Sequence, residues 1–117
     1  MIKVYCYERC TTCKKALKWL DENGIKYELT DIKANNPDKK TITEAYKKSG
    51  KPLKMFFNTS GQLYREMELS KKLKDMSEAE QISLLASDGM LVKRPLVITN
   101  GNVLLGFKQE EWEEILL

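Results

Sequence analysis

Cys10-Thr11-Thr12-Cys13 places two thiols three residues apart. On a helix that spacing is one turn, within reach of a disulfide. Such a pair can attack a disulfide with one sulfur and resolve the mixed disulfide with the other. Imidazole chemistry is excluded: the 117 residues contain no His, which removes Ser/His/Asp and Cys/His catalysis, His-ligated zinc and His-based pH switching. The plain alternative is that Cys10 and Cys13 are small buried hydrophobes, a common fate of cysteine. A zinc site is a poorer fit, because tetrahedral sites want four Cys/His ligands and the chain holds three Cys, so no metal is expected. The third, Cys6, shares a strand face with Ile2 and Val4 and reads as core.

The elements around the pair decide between these readings. Ile2 to Tyr7 is short, apolar and strand-like, and it runs into the Cys-x-x-Cys segment and a helical stretch from Lys14 to Asn23. There Cys13, Ala16, Leu17 and Leu20 recur at helical spacing as one buried face, and Gly24 stands where a helix-ending glycine belongs. Ile25 to Ile32 alternates as a second strand, so the start reads β-α-β. Cys10 then falls at the helix N-terminus, where unpaired N–H groups and the helix dipole favour a thiolate, with Arg9, Lys14 and Lys15 nearby. Cys13, on the apolar face, is expected to be the more buried and less ionised sulfur. Cys10 attacks in this reading, and Cys13 resolves.

Helix signals fill the middle. Asn35-Asn36-Pro37-Asp38 is a turn cluster, Thr41-Ile42-Thr43-Glu44 a capping-box pattern, and Ser77-Glu78-Ala79-Glu80 a second one. Pro95 to Thr99 and Val103 to Phe107 then form a hairpin across the turn signal Asn100-Gly101, and Gln109 to Leu117 closes as a helix with Trp112, Ile115 and Leu116 on one face. The fold class is α/β: a thioredoxin-like fold with a central mixed sheet of about four strands and an inserted helical subdomain. Residues 1–33 and 91–117 form its core and 34–90 the insert, in one compact domain overall.

Twenty Lys+Arg against seventeen Asp+Glu give a net charge of +3, too mild a balance for direct nucleic-acid binding. The chain opens straight into a strand without an export-signal pattern, and no apolar run approaches the ~18 residues that span a bilayer. With an odd number of Cys, this predicts a monomer in the reducing cytoplasm, with no membrane partner.

Arg94-Pro95 is the second feature. Proline may open a strand, and by general preference its peptide bond is trans; Arg94 taken alone reads equally as a surface cation. Cys10 to Leu20, then Phe56-Phe57-Asn58-Thr59-Ser60-Gly61 with Tyr64-Arg65, then Lys93 to Ile98 together resemble the arsenate reductase/Spx family, collinearly over essentially the whole chain. The resemblance implies a thioredoxin fold with a helical insert. It also implies a cis bond before Pro95, facing the active-site turn, and makes Arg94 the guanidinium beside the reactive sulfur, suited to an oxyanion or a glutathione carboxylate.

Departures from the family sharpen the expectation. Arsenate reductases of this type use one Cys, at the position of Cys10, and three arginines; here only Arg94 matches, with Asn58 and Gly106 where the other two are expected. Each charge-assisted contact is worth roughly 1.5–3 kcal/mol, so efficient arsenate reduction is not expected. Spx-type regulators share the Cys-x-x-Cys pair as a redox switch that controls contact with RNA polymerase. The closest resemblance is to the arsenate reductase-like subgroup between these two. The expected activity is a cytosolic thiol–disulfide oxidoreductase cycling Cys10 and Cys13, with Arg94 and Pro95 binding substrate. Glutathione, another low-molecular-weight thiol or a protein disulfide serves as partner, and no bound cofactor is needed. A redox-sensing regulator that binds RNA polymerase is the first alternative, and low-efficiency arsenate reduction the second.

Overall fold

The structure, a computed structural model, describes residues 2–117. Strand β1, Ile2–Cys6, lies inside the sheet, and its last three residues are buried whichever face they point to. It pairs in parallel with β2, Tyr27–Asp31, and antiparallel with β3, Leu96–Ile98, which pairs antiparallel with β4, Val103–Leu105. Among the described residues the sheet has four strands in the order β2-β1-β3-β4, the mixed thioredoxin-like arrangement expected.

The two-residue period of a strand divides the core. Val4 and Cys6 of β1 face one apolar cluster, and so do Val97 and Leu104, which stand beside Val4 across the sheet. That face is covered by α1, Thr11–Glu22, through Cys13, Ala16, Trp19 and Leu20, and by α6, Gln109–Leu116, through Trp112. Trp19 takes the buried position expected of Leu17, which is only half-buried. Tyr5, Leu96, Val103 and Leu105 point the other way, into a second cluster built with the helical segments between β2 and β3.

Those segments are α2, Lys39–Ser49, α3, Gln62–Glu66, α4, Leu69–Lys72, and α5, Glu78–Ser87, with single 3-10 turns at Leu53–Phe56, Leu73–Asp75 and Gly89–Leu91. The second expected capping box holds: Ser77 accepts from the Glu80 amide while the Glu80 carboxylate accepts from that of Ser77. The first does not. Helix α2 starts three residues earlier, because the Asp38 carboxylate accepts the Thr41 N–H at 2.8 Å and Thr43 already lies inside the helix, donating to the Lys39 carbonyl. Two backbone bonds, Asn58 N–H to Leu91 O and Lys93 N–H to Phe56 O, both 2.8 Å, tie the segment after Phe56 to the approach to β3.

Turn chemistry follows the sequence in one place and departs from it in another. Gly24, at φ +65°, ends α1 with paired bonds from Gly24 to Asp21 and from Ile25 to Leu20, as the glycine implies. The β3–β4 connection is not an Asn-Gly two-residue turn. Gly101 has no positive φ, and the Thr99 hydroxyl instead accepts from both the Gly101 and Asn102 amides. Among the described residues, no helix is long and apolar enough to cross a membrane.

Candidate active site

The β1–α1 turn delivers the first sulfur. Cys10 is the N-cap of α1, with extended backbone at φ −86° and ψ 115°, held by its N–H bond to the Tyr7 carbonyl at 3.0 Å. Its Sγ accepts the Cys13 N–H at 3.4 Å, so an unpaired donor of the first helical turn is aimed at the sulfur. Cys10 is half-buried and Cys13 only 1% exposed; both, like Cys6, are free thiols.

Cys13 is the more buried of the two sulfurs, as expected. Hydrogen bonding with the Cys6 side chain is the largest influence on it; together with bonds from the Tyr7 backbone and Cys10 and the charge of Arg94, it outweighs burial and holds the Cys13 thiol down to about 6. The same contact with Cys13, with burial and the neighbouring sulfurs, pushes the Cys6 thiol up. The pair thus divides in direction, the Cys13 thiol held down and the Cys6 thiol pushed up. Periodicity placed Cys6 in the core, where it is, but said nothing of its neighbour.

This arrangement predicts a titration. In Cys10→Ser, ultraviolet thiolate absorbance should show one inflection near pH 6. Adding Cys6→Ala should move it upward, because the donor is gone while the burial remains. An inflection that stays put would remove Cys6 from this role. A thiol lowered by the fold also stabilises it: that contribution is complete above the unfolded thiol's ordinary value and is lost as pH falls through about 6.

The second element is the entry to β3. Arg94 and Pro95 are joined by a cis peptide bond, as the resemblance implied and general preference did not. Pro95 is buried, and its carbonyl accepts the Gly106 N–H at 2.9 Å. The Arg94 guanidinium lies over the Tyr7 ring, 5.3 Å from its centroid, and Nη1 donates to Met90 Sδ at 3.7 Å. Nε of the same group is buried without a partner.

Cys10 and Arg94 share the wall of one cavity of about 400 Å³, together with Thr12, Asn58, Gly61, Lys93, Gly106 and Lys108 among others. Asn58 and Gly106, far from Arg94 in the chain, thus border the same space. Pro95, expected to bind substrate, is not on its wall; its carbonyl holds the amide of Gly106, which is. Cys13 opens elsewhere: with Cys6, Tyr7, Leu17 and Leu29 it lines a mostly apolar cavity of about 450 Å³. Sequence reasoning missed Lys93, Lys108 and the Tyr7 ring beneath Arg94. Lys93 had one available signal, its place directly before Arg94. Lys108 had none, since only the fold returns the start of α6 to the cavity. Among the described residues, no cluster of three His, Cys, Asp or Glu side chains is arranged to hold a metal ion.

Comparison with known proteins places this geometry. The ArsC family matches the chain over residues 5–115. The uncharacterized protein YusI of Bacillus subtilis is 51% identical over 110 residues, 94% of this chain and 93% of YusI. The crystal structure of a possible arsenate reductase from Streptococcus mutans superposes with a TM-score of 0.89 at 42% identity, covering 97% of this chain and 98% of that one. The global transcriptional regulator Spx 2 of Bacillus anthracis is 22% identical over 116 residues, 99% of this chain and 87% of Spx 2.

Proposed function

The chain belongs to the ArsC family, and from that premise we propose that it is a cytoplasmic thiol–disulfide oxidoreductase cycling Cys10 and Cys13. One observation carries the reading: Cys10 caps a helix, takes an N–H bond on its sulfur and shares a cavity wall with Arg94, while Cys13 waits behind it as a buried free thiol. Cys10 attacks one sulfur of a bound disulfide and expels the other as a thiolate. Cys13 then attacks Cys10 Sγ, expels the second thiolate and leaves the protein disulfide. The disulfide gains two electrons and the cysteine pair loses two; a dithiol or two monothiols return them. A lowered resolving thiol suits the second step, because it is ionised at neutral pH without help from a base.

The cavity walls favour this reading over arsenate. Asn58 and Gly106 supply no guanidinium, so Arg94 is the one planar donor fork there. Lysines bring charge to a dianion, but not the bidentate geometry. Arsenate reduction, if measured, should be slow.

Alkylation tests the assignment. With limiting iodoacetamide, the fast-reacting thiol should map to Cys10, since Cys13 is shielded, and should vanish in Cys10→Ser. A fast thiol that survives in Cys10→Ser overturns it. The likeness to Spx 2 supports one further reading, a redox-sensing regulator whose Cys10–Cys13 disulfide alters a surface that contacts RNA polymerase. It requires polymerase capture that changes with oxidation; a protein that captures polymerase in neither redox state ends it.

A further inference from the structure

Three cations, Lys93, Arg94 and Lys108, line the cavity of Cys10, and no Asp or Glu does. None of the three has a carboxylate partner: among the described residues, the one ion pair joins Lys51 to Glu111. Arg94 also keeps its buried, unpartnered Nε. Like charges gathered around one concave, partly desolvated space repel one another, and an anion placed among them removes that penalty.

The position of Lys93 has a structural cause. Gly106 has φ +76°, a left-handed conformation that favours glycine. A Cβ at that position would stand 3.0 Å from Lys93 Cε and 3.9 Å from its Nζ. The lysine stem therefore lies across the face that a side chain at 106 would take. Both backbones are fixed there, Lys93 by its bond to the Phe56 carbonyl and Gly106 by its bond to that of Pro95. Where the resemblance led one to expect a cation from residue 106, a cation arrives instead from residue 93.

We infer that Lys93 is a specificity-determining residue of this site, and that with Arg94 it selects a small thiol or disulfide carrying carboxylates near the sulfur over a neutral one. The inference rests on Cys10 as the attacking sulfur. The cavity of about 400 Å³ is of small-ligand size. In the step itself, the Cys10 thiolate attacks one sulfur of R–S–S–R; that bond breaks, Cys10–S–S–R forms, and the departing RS⁻ takes a proton from solvent. The carboxylates of R, charged throughout the step, lie among the cations, and a neutral R brings no such charge.

Single-turnover rates of the reduced protein test this, with glutathione disulfide as the anionic probe and bis(2-hydroxyethyl) disulfide as the neutral one. Lys93→Met should slow the anionic reaction about fivefold, as for one partly screened charge contact, and the neutral one by less than about twofold. Lys93→Arg should restore the anionic rate, and added salt should shrink the difference in the wild type. Equal slowing of both probes, or of neither, overturns the inference. Alkylation of Cys10 by iodoacetate and by iodoacetamide separates this result from the redox reading. A charge preference that Lys93→Met abolishes sustains the anion site even where neither disulfide reacts, in which case the oxidoreductase reading falls. A Cys10 that exchanges with disulfides but shows no such preference leaves the oxidoreductase and overturns the role of Lys93.

Discussion

Cys10→Ser should reduce disulfide turnover by about three orders of magnitude or more, to the uncatalysed background, because a hydroxyl at the cap cannot accept and pass on the sulfur. The loss should appear in kcat/KM for every disulfide, anionic or neutral. Cys13→Ser should behave differently. The first exchange needs only Cys10 and the cavity, so mixed-disulfide formation should persist while turnover stalls. This asymmetry follows from placement: Cys10 is on the cavity wall with Arg94, whereas Cys13 is 1% exposed and borders a separate, mostly apolar cavity. Two variants that fail at the same step would contradict the division of roles.

Trp112→Ala should cost about 3–5 kcal/mol in denaturant unfolding, the largest stability effect expected of a single core truncation here. Trp112 is wholly buried, with its ring edge-on to Trp19 at 5.9 Å and to Phe107 at 4.8 Å. Its indole N–H donates to the Gly106 carbonyl at 3.1 Å, a buried bond whose loss strands that oxygen. Trp112→Phe keeps most of the volume and drops the bond, and should cost about 1–3 kcal/mol. The same bond anchors the glycine over which Lys93 lies, so the stability of this corner and the shape of the cavity share one residue. Equal stability of Trp112→Phe and wild type would show that the bond contributes nothing.

Much of this site was legible because its chemistry is local. The strand, Cys-x-x-Cys, helix order depends on neighbours in the chain, and Cys10 indeed caps α1 and bonds to the amide of Cys13. The alternation within β1 likewise foretold that Val4 and Cys6 would share a face. Where a side chain outside the expected motif satisfied the local backbone donors, the pattern misled. Asp38 outcompeted the Thr41 box at the start of α2, and the Thr99 hydroxyl set the hairpin that Asn100-Gly101 suggested.

What was not legible depends on segments far apart in sequence. Asn58, Lys93, Gly106 and Lys108 meet at one cavity because the Asn58–Leu91 and Lys93–Phe56 backbone bonds and the β3–β4 pairing bring three loops together. No periodicity encodes that meeting. The contact of Cys6 with Cys13 is of the same kind: each was readable as buried, but their mutual influence depends on how α1 packs on the sheet face that carries Cys6.

Intact-mass and peptide analysis of Cys13→Ser after treatment with glutathione disulfide tests the central claim most directly. The account predicts one glutathione per chain, attached at Cys10, while the wild type treated alongside carries an internal Cys10–Cys13 disulfide and no adduct. An adduct on Cys6, or a Cys13→Ser protein that remains unmodified, would contradict it.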